Sequence, residues 1–151
     1  MVASPPRPGR RAAAAASPNT KLVCFRLGSW RYALGVEEIQ GLFSSVPLIP
    51  NTEEGYSGLV QLAQGRVPVI DLRRCSASDT TILPTVALVE NQGETLGLVF
   101  DLADEVIPVH GRGLLNTDLE CSPLPARART VTRYGDVFWL NVSELINTEI
   151  C

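Results

Sequence analysis

Histidine is almost absent from this chain: His110 is the only one among 151 residues. Four cysteines, Cys24, Cys75, Cys121 and Cys151, stand far apart, and no two form a C-x-x-C pair. With one imidazole to join them, a zinc site has no basis in the sequence, and no metal or other cofactor is expected. No signal peptide opens the chain, so the thiols read as reduced side chains of a cytoplasmic protein. Long apolar runs are missing too. Nothing approaches the ~20 residues that span a bilayer. Ala12–Ala16 is only an alanine patch, and no apolar region follows Arg10-Arg11 as a twin-arginine signal requires. Membrane insertion is not expected. No phosphate-cradling glycine loop occurs either, because Gly111-Arg112-Gly113 is too short and opens no helix.

What is present describes a globular protein. Hydrophobic residues make up 45% and charged residues 19%, an ordinary balance for a chain that buries a core. The length suits one domain, which two lobes can share. Twelve glycines and 11 prolines among plentiful valine and leucine favour short strands and many turns. The charge is uneven. Residues 1–20 hold Arg7, Arg10 and Arg11 and no acid, which leaves 10 basic against 16 acidic side chains in the rest, a balance of −6. An acidic folded part argues against nucleic acid as a partner, since that role needs a basic face.

Along the chain, residues 1–20 read as a disordered leader of proline, alanine and arginine, followed by one domain over 21–151. Val23, Phe25 and Leu27 alternate as in a half-buried strand, and Gly28-Ser29 turns the chain back through Trp30–Leu34. Val36 to Phe43 fits a one- or two-turn helix or a bent strand, with Glu37 and Glu38 toward water. Strands follow over Thr85–Val89, Leu96–Phe100, Val106–Val109 and Val137–Leu140, the last paired with Val131–Tyr134. Residues 111–128 read as irregular. A short terminal helix runs from Val142 to Ile150, with Ser143 as its cap. Nine or ten short strands at regular spacing indicate an all-β barrel or sandwich.

Residues 58–72 carry the strongest signal. Two apolar runs flank a glycine turn, and the second, Val67-Pro68-Val69-Ile70-Asp71-Leu72, holds a proline and an aspartate. Proline cannot donate to a ladder, so this hairpin is expected at a sheet edge that something else meets. Five blocks in order resemble the CheW-like family of bacterial chemotaxis coupling proteins. They are Phe25-Arg-Leu-Gly28 with Tyr32-Ala33, Gly58-Leu-Val60, Val67–Leu72, Leu96-Gly-Leu-Val-Phe-Asp101 with Val106, and Leu140-Asn-Val-Ser-Glu-Leu145. The resemblance covers nearly all of residues 22–146. It implies two small five-stranded SH3-like β-barrels packed together, with short helices including a C-terminal one. It also implies a non-catalytic adaptor that docks a chemoreceptor and a histidine kinase regulatory domain, in a shallow hydrophobic groove between the barrels and along their ends. Two family side chains are missing. The family's acid falls on Gly41, and its arginine falls on Ala63. Losing both leaves no uncompensated charge, and points to a diverged member with an altered recognition surface.

The partner-binding candidates are Val36, Ile39, Gly58, Leu59 and Leu62. The competing reading makes the apolar ones core and Gly58 a backbone position needing close approach. Asp71 is expected to bond local backbone. Asp101 and Asp104 read as structural or solvated, His110 as a loop residue, and Arg73-Arg74 and Arg127-Ala128-Arg129 as solvated basic spots. An enzyme using Cys121 or Asp101 with His110 lacks any nucleophile–base–orienter set. The alternative to the adaptor is a diverged barrel serving as a structural or assembly subunit.

Overall fold

The computed structural model describes residues 20–50, 57–75 and 78–147. The expected leader lies outside the described residues, apart from Thr20. The described residues form ten strands: β1 (Thr20–Leu27), β2 (Trp30–Gly35), β3 (Gly41–Phe43), β4 (Gly58–Leu62), β5 (Gly65–Asp71), β6 (Thr85–Asn91), β7 (Glu94–Phe100), β8 (Leu102–Val109), β9 (Ala126–Thr132) and β10 (Gly135–Leu140). Among the described residues one α-helix, α1 (Val142–Asn147), follows them. The strands form two five-stranded sheets, ordered β8-β1-β2-β10-β9 and β3-β6-β7-β5-β4. Each is a small SH3-like barrel. The first, here the terminal lobe, combines the two ends of the chain. The second, the central lobe, is built from its middle.

Alternation along the strands explains why the two barrels adhere. Val23, Phe25 and Leu27 of β1, with Tyr32, Leu34, Phe138 and Leu140, join Ala87, Val89, Leu96, Leu98 and Phe100 of the central lobe in one cluster at the junction. Phe25 and Phe100 stack there with ring centres 4.2 Å apart. The intervening residues Leu22, Cys24, Ala33, Val137 and Trp139 fill the terminal barrel. Val60, Val67, Val69, Val86, Leu88 and Val99 fill the central one. The middle strands are therefore buried on both faces, which accounts for their near-continuous apolar runs.

Several expectations are corrected. β5 is not an edge strand, since it lies between β4 and β7. Pro68 is tolerated because the parallel ladder to β7 begins only at Val69 opposite Gly97. The segment after β2 is both things it was read as: a 3-10 turn over Val36–Glu38, then the strand β3. β8 reaches back to Leu102 and carries Pro108 as the edge strand it is. β9 begins at Ala126, inside the stretch read as irregular. α1 is capped by Asn141 rather than Ser143, the Glu144 amide donating to the Asn141 Oδ1 at 3.1 Å.

Candidate docking surface

The β4–β5 hairpin turns at Ala63-Gln64, and Gly65 takes a φ of +130° that disfavours any side chain. Val60, Val67 and Val69 point into the central barrel. Leu59 and Leu62, on alternating faces of β4, are half-buried, and Leu62 packs against the valine cluster. Gly58 is buried, and a Cβ there would lie 3.0 Å from the Ile49 carbonyl oxygen. Ile49 and Leu59 exchange both backbone bonds, at 2.7 and 2.8 Å. The chain's own connector thus meets the β4 edge at this point and requires a bare residue there.

Val36 sits in the 3-10 turn between the lobes and is 41% exposed. Ile39, three residues on, is half-buried against the junction cluster. The Gln40 amide ties this turn to the central lobe by donating to the Leu88 carbonyl at 2.8 Å. The five predicted residues therefore form two sets. Val36 and Ile39 lead into β3, whereas Gly58, Leu59 and Leu62 lie on β4, at the opposite edge of the sheet.

Glu38 does not face water as read from the sequence. Its Oε1 accepts the Gly35 amide at 2.7 Å and the Trp139 indole N–H at 2.6 Å. The three-residue spacing of a capping box is the sequence signal for the first bond. Arg127 lies over the Trp139 ring, 4.0 Å from its centre. Glu38 and Arg127 share a polar cleft of about 270 Å³ with Glu90, Asn91 and Asn141, spanning both lobes. Charged groups thus stand at the junction although Gly41 and Ala63 carry none. At Gly41 a side chain has little room, since its Cβ would fall 3.0 Å from the Phe43 ring.

The remaining candidates have structural partners. Asp71 Oδ1 accepts the Arg73 amide at 3.1 Å, as expected. Arg73 is not solvated: it is buried, pairs with Asp71 at 2.9 Å, and donates to the Ile82 carbonyl. Asp101 accepts the Gly28 amide at 2.7 Å and the Ser78 hydroxyl at 2.9 Å. Asp104 binds Arg26 and Arg31. Burial alone would raise its carboxyl, but hydrogen bonds and charge from the two arginines outweigh that and hold it below the usual carboxylate range. Burial pushes the Cys24 thiol up to about 11, which keeps it protonated and a poor nucleophile. Cys24 and Cys121 are free thiols, while Cys75 is disulfide-bonded, a departure from the expectation that all four are reduced. Among the described residues no helix is long and apolar enough to cross a membrane, and no His, Cys, Asp and Glu side chains group as metal ligands.

Residues 21–149 match the CheW-like domain. The structure is similar to the crystal structure of the scaffolding protein TtCheW from Thermoanaerobacter tengcongensis, with a TM-score of 0.69 and 21% sequence identity over 87% of this chain and 94% of that one. No protein of curated function matches the chain.

Proposed function

The chain belongs to the CheW-like domain family, and we propose that it is a non-catalytic cytoplasmic adaptor that couples chemoreceptors to a histidine kinase by docking both. The observation that carries this reading is the family match across the whole two-barrel unit. Exposed Val36 at the junction between the barrels supports it. Docking of this kind needs no chemistry. An apolar contact of modest area gives a transient complex, and rim charges set its specificity.

The residues at 41 and 63 favour a second reading, a barrel that kept the scaffold and serves as an assembly subunit outside kinase signalling. Reconstitution separates the two. Purified full-length chain is mixed with the kinase and a chemoreceptor of the same organism, and the complex is measured by sedimentation. The adaptor reading expects receptor and kinase to sediment together only when this chain is present. Binding to neither would overturn it and leave the assembly reading.

A further inference from the structure

The four cysteines of the chain stand in different chemical settings. Cys24 packs inside the terminal barrel, is 0% exposed, and has a thiol that burial keeps protonated. Cys121 ends a 3-10 turn at the surface and is a free thiol. Cys75 is half-buried and disulfide-bonded. Because Cys24 and Cys121 are free, the cysteine that remains in the sequence to bond Cys75 is Cys151. Cys151 itself lies outside the described residues.

The surroundings of Cys75 decide what such a bond joins. Cys75 closes the 3-10 turn Leu72–Cys75, which continues β5 of the central lobe. α1 continues β10 of the terminal lobe. The two segments meet the same junction cluster: Leu72 and Leu145 are buried in it, and Cys75 and Ile146 pack against it. α1 ends at Asn147, so the chain leading to Cys151 sets out from the cluster that Cys75 already touches. Residues 148–151 reach up to about 14 Å when extended, and a disulfide adds a further Cα–Cα separation of about 5.5 Å.

We propose that Cys75 and Cys151 form a reversible thiol–disulfide pair, a covalent tie between the two lobes that is open when the thiols are reduced. Closure needs an oxidant, and a small disulfide such as oxidised glutathione suffices. One cysteine thiolate attacks it and expels a glutathione thiolate, leaving a mixed disulfide. The second cysteine thiolate attacks the protein sulfur of that mixed disulfide and expels the other glutathione thiolate. The two cysteine thiols give up two protons and two electrons, and oxidised glutathione becomes two molecules of glutathione. Partial exposure leaves Cys75 open to this exchange, whereas full burial denies it to Cys24. The loop so closed holds β6 to β10 and α1. A loop of that length strongly restricts the unfolded chain, so the tie stabilises the folded one. The competing reading makes Cys75 a small hydrophobe of the cluster and nothing more. Neither reading depends on receptor or kinase binding.

The test compares the full chain treated with oxidised glutathione and the full chain treated with dithiothreitol. The oxidised chain is expected to be a monomer two hydrogens lighter in intact mass, with no glutathione adduct. Its unreduced digest should contain the peptide with Cys75 joined to the peptide with Cys151. Its thermal midpoint should lie about 5 °C or more above that of the reduced chain. Cys151→Ser should abolish both the mass change and the difference in midpoint, and should melt with the reduced wild type. Cys75→Ser should do the same; Cys151→Ser decides the matter if serine at 75 disturbs the cluster. An unchanged mass, a stable glutathione adduct, a disulfide-linked dimer, a link from Cys75 to Cys24 or Cys121, or equal midpoints for the oxidised and reduced chains overturns the proposal.

Discussion

Val60, Val67, Val69, Val86, Leu88 and Val99 fill the central lobe, whereas the interior of the terminal lobe holds Leu22, Cys24, Ala33 and Trp139 and ends in the buried guanidinium of Arg31. Both sheets have two edge strands to reconcile. In the central lobe the chain does this with its own backbone, Ile49 pairing on β4 at Leu59. In the terminal lobe β8 and β9 are the edges; Leu115 pairs on β9 at Arg129 in the same way, and in addition a side chain spans both edges. Arg31 reaches Asp104 and Glu105 on β8 and Thr132 on β9. Both small barrels thus cover an edge with peptide hydrogen bonds; the central one otherwise relies on aliphatic packing, and the terminal one adds rings and ions. The central lobe has a buried ion pair too, Asp71–Arg73, but it fixes the loop after β5.

Substitutions that strike the shared junction, one closure or the other separate these contributions. The largest effect belongs to Phe25→Ala, which empties a position buried in both lobes' common cluster. A loss of about 3–5 kcal/mol is expected, measured by urea unfolding with probes in each lobe. The two probes should shift together; separate transitions would show that the lobes are independent. Next comes Arg31→Met, which leaves Asp104 and Glu105 without their buried cation. Removing one member of such a pair costs about 3–5 kcal/mol, and the partial exposure of Glu105 places this case near about 3. The same change alters the acid response. Because the folded-state pKa of Asp104 is lowered, its contribution is complete above the ordinary carboxylate value of about 3.9 and is lost as pH falls through the lowered value. Wild type should therefore lose this contribution in acid, and Arg31→Met should show less of that loss. Smaller still is Gly97→Ala in the central lobe. A Cβ there would fall 2.7 Å from Val86 and 2.9 Å from Val69. Overpacking of this kind costs about 1–3 kcal/mol, read as a lower denaturant midpoint with unchanged acid response.

The central lobe was the more legible of the two. Its hairpins showed as valine-rich runs around glycine turns, and the local bond of Asp71 followed from its place after a strand. What the sequence concealed was chiefly long-range. Arg73 and Arg74 look alike in the chain, yet only Arg73 is buried, because the loop carrying Ile82 folds back to accept its guanidinium. The bond from Trp139 to Glu38 joins residues 101 positions apart. Pro68 suggested an edge strand because proline lacks a donor. The structure puts it on an inner strand, just ahead of the point where the β7 ladder starts. The partner-binding candidates were chosen as one hairpin and one turn, and no local pattern says that these occupy opposite edges of a sheet.

The claim that this protein acts by docking is tested most directly at Val36, which is exposed and fills no core. The affinity of the full chain for the kinase regulatory domain is measured by calorimetry for wild type, Val36→Arg and the distant control Glu94→Arg, each checked by circular dichroism and thermal midpoint. A charge placed in an apolar contact loses hydration without gaining a partner and should cost about 2 kcal/mol or more, so Val36→Arg should fold like wild type and bind more than tenfold more weakly, with Glu94→Arg little changed. A folded Val36→Arg that binds as tightly as wild type would contradict docking through the junction between the barrels.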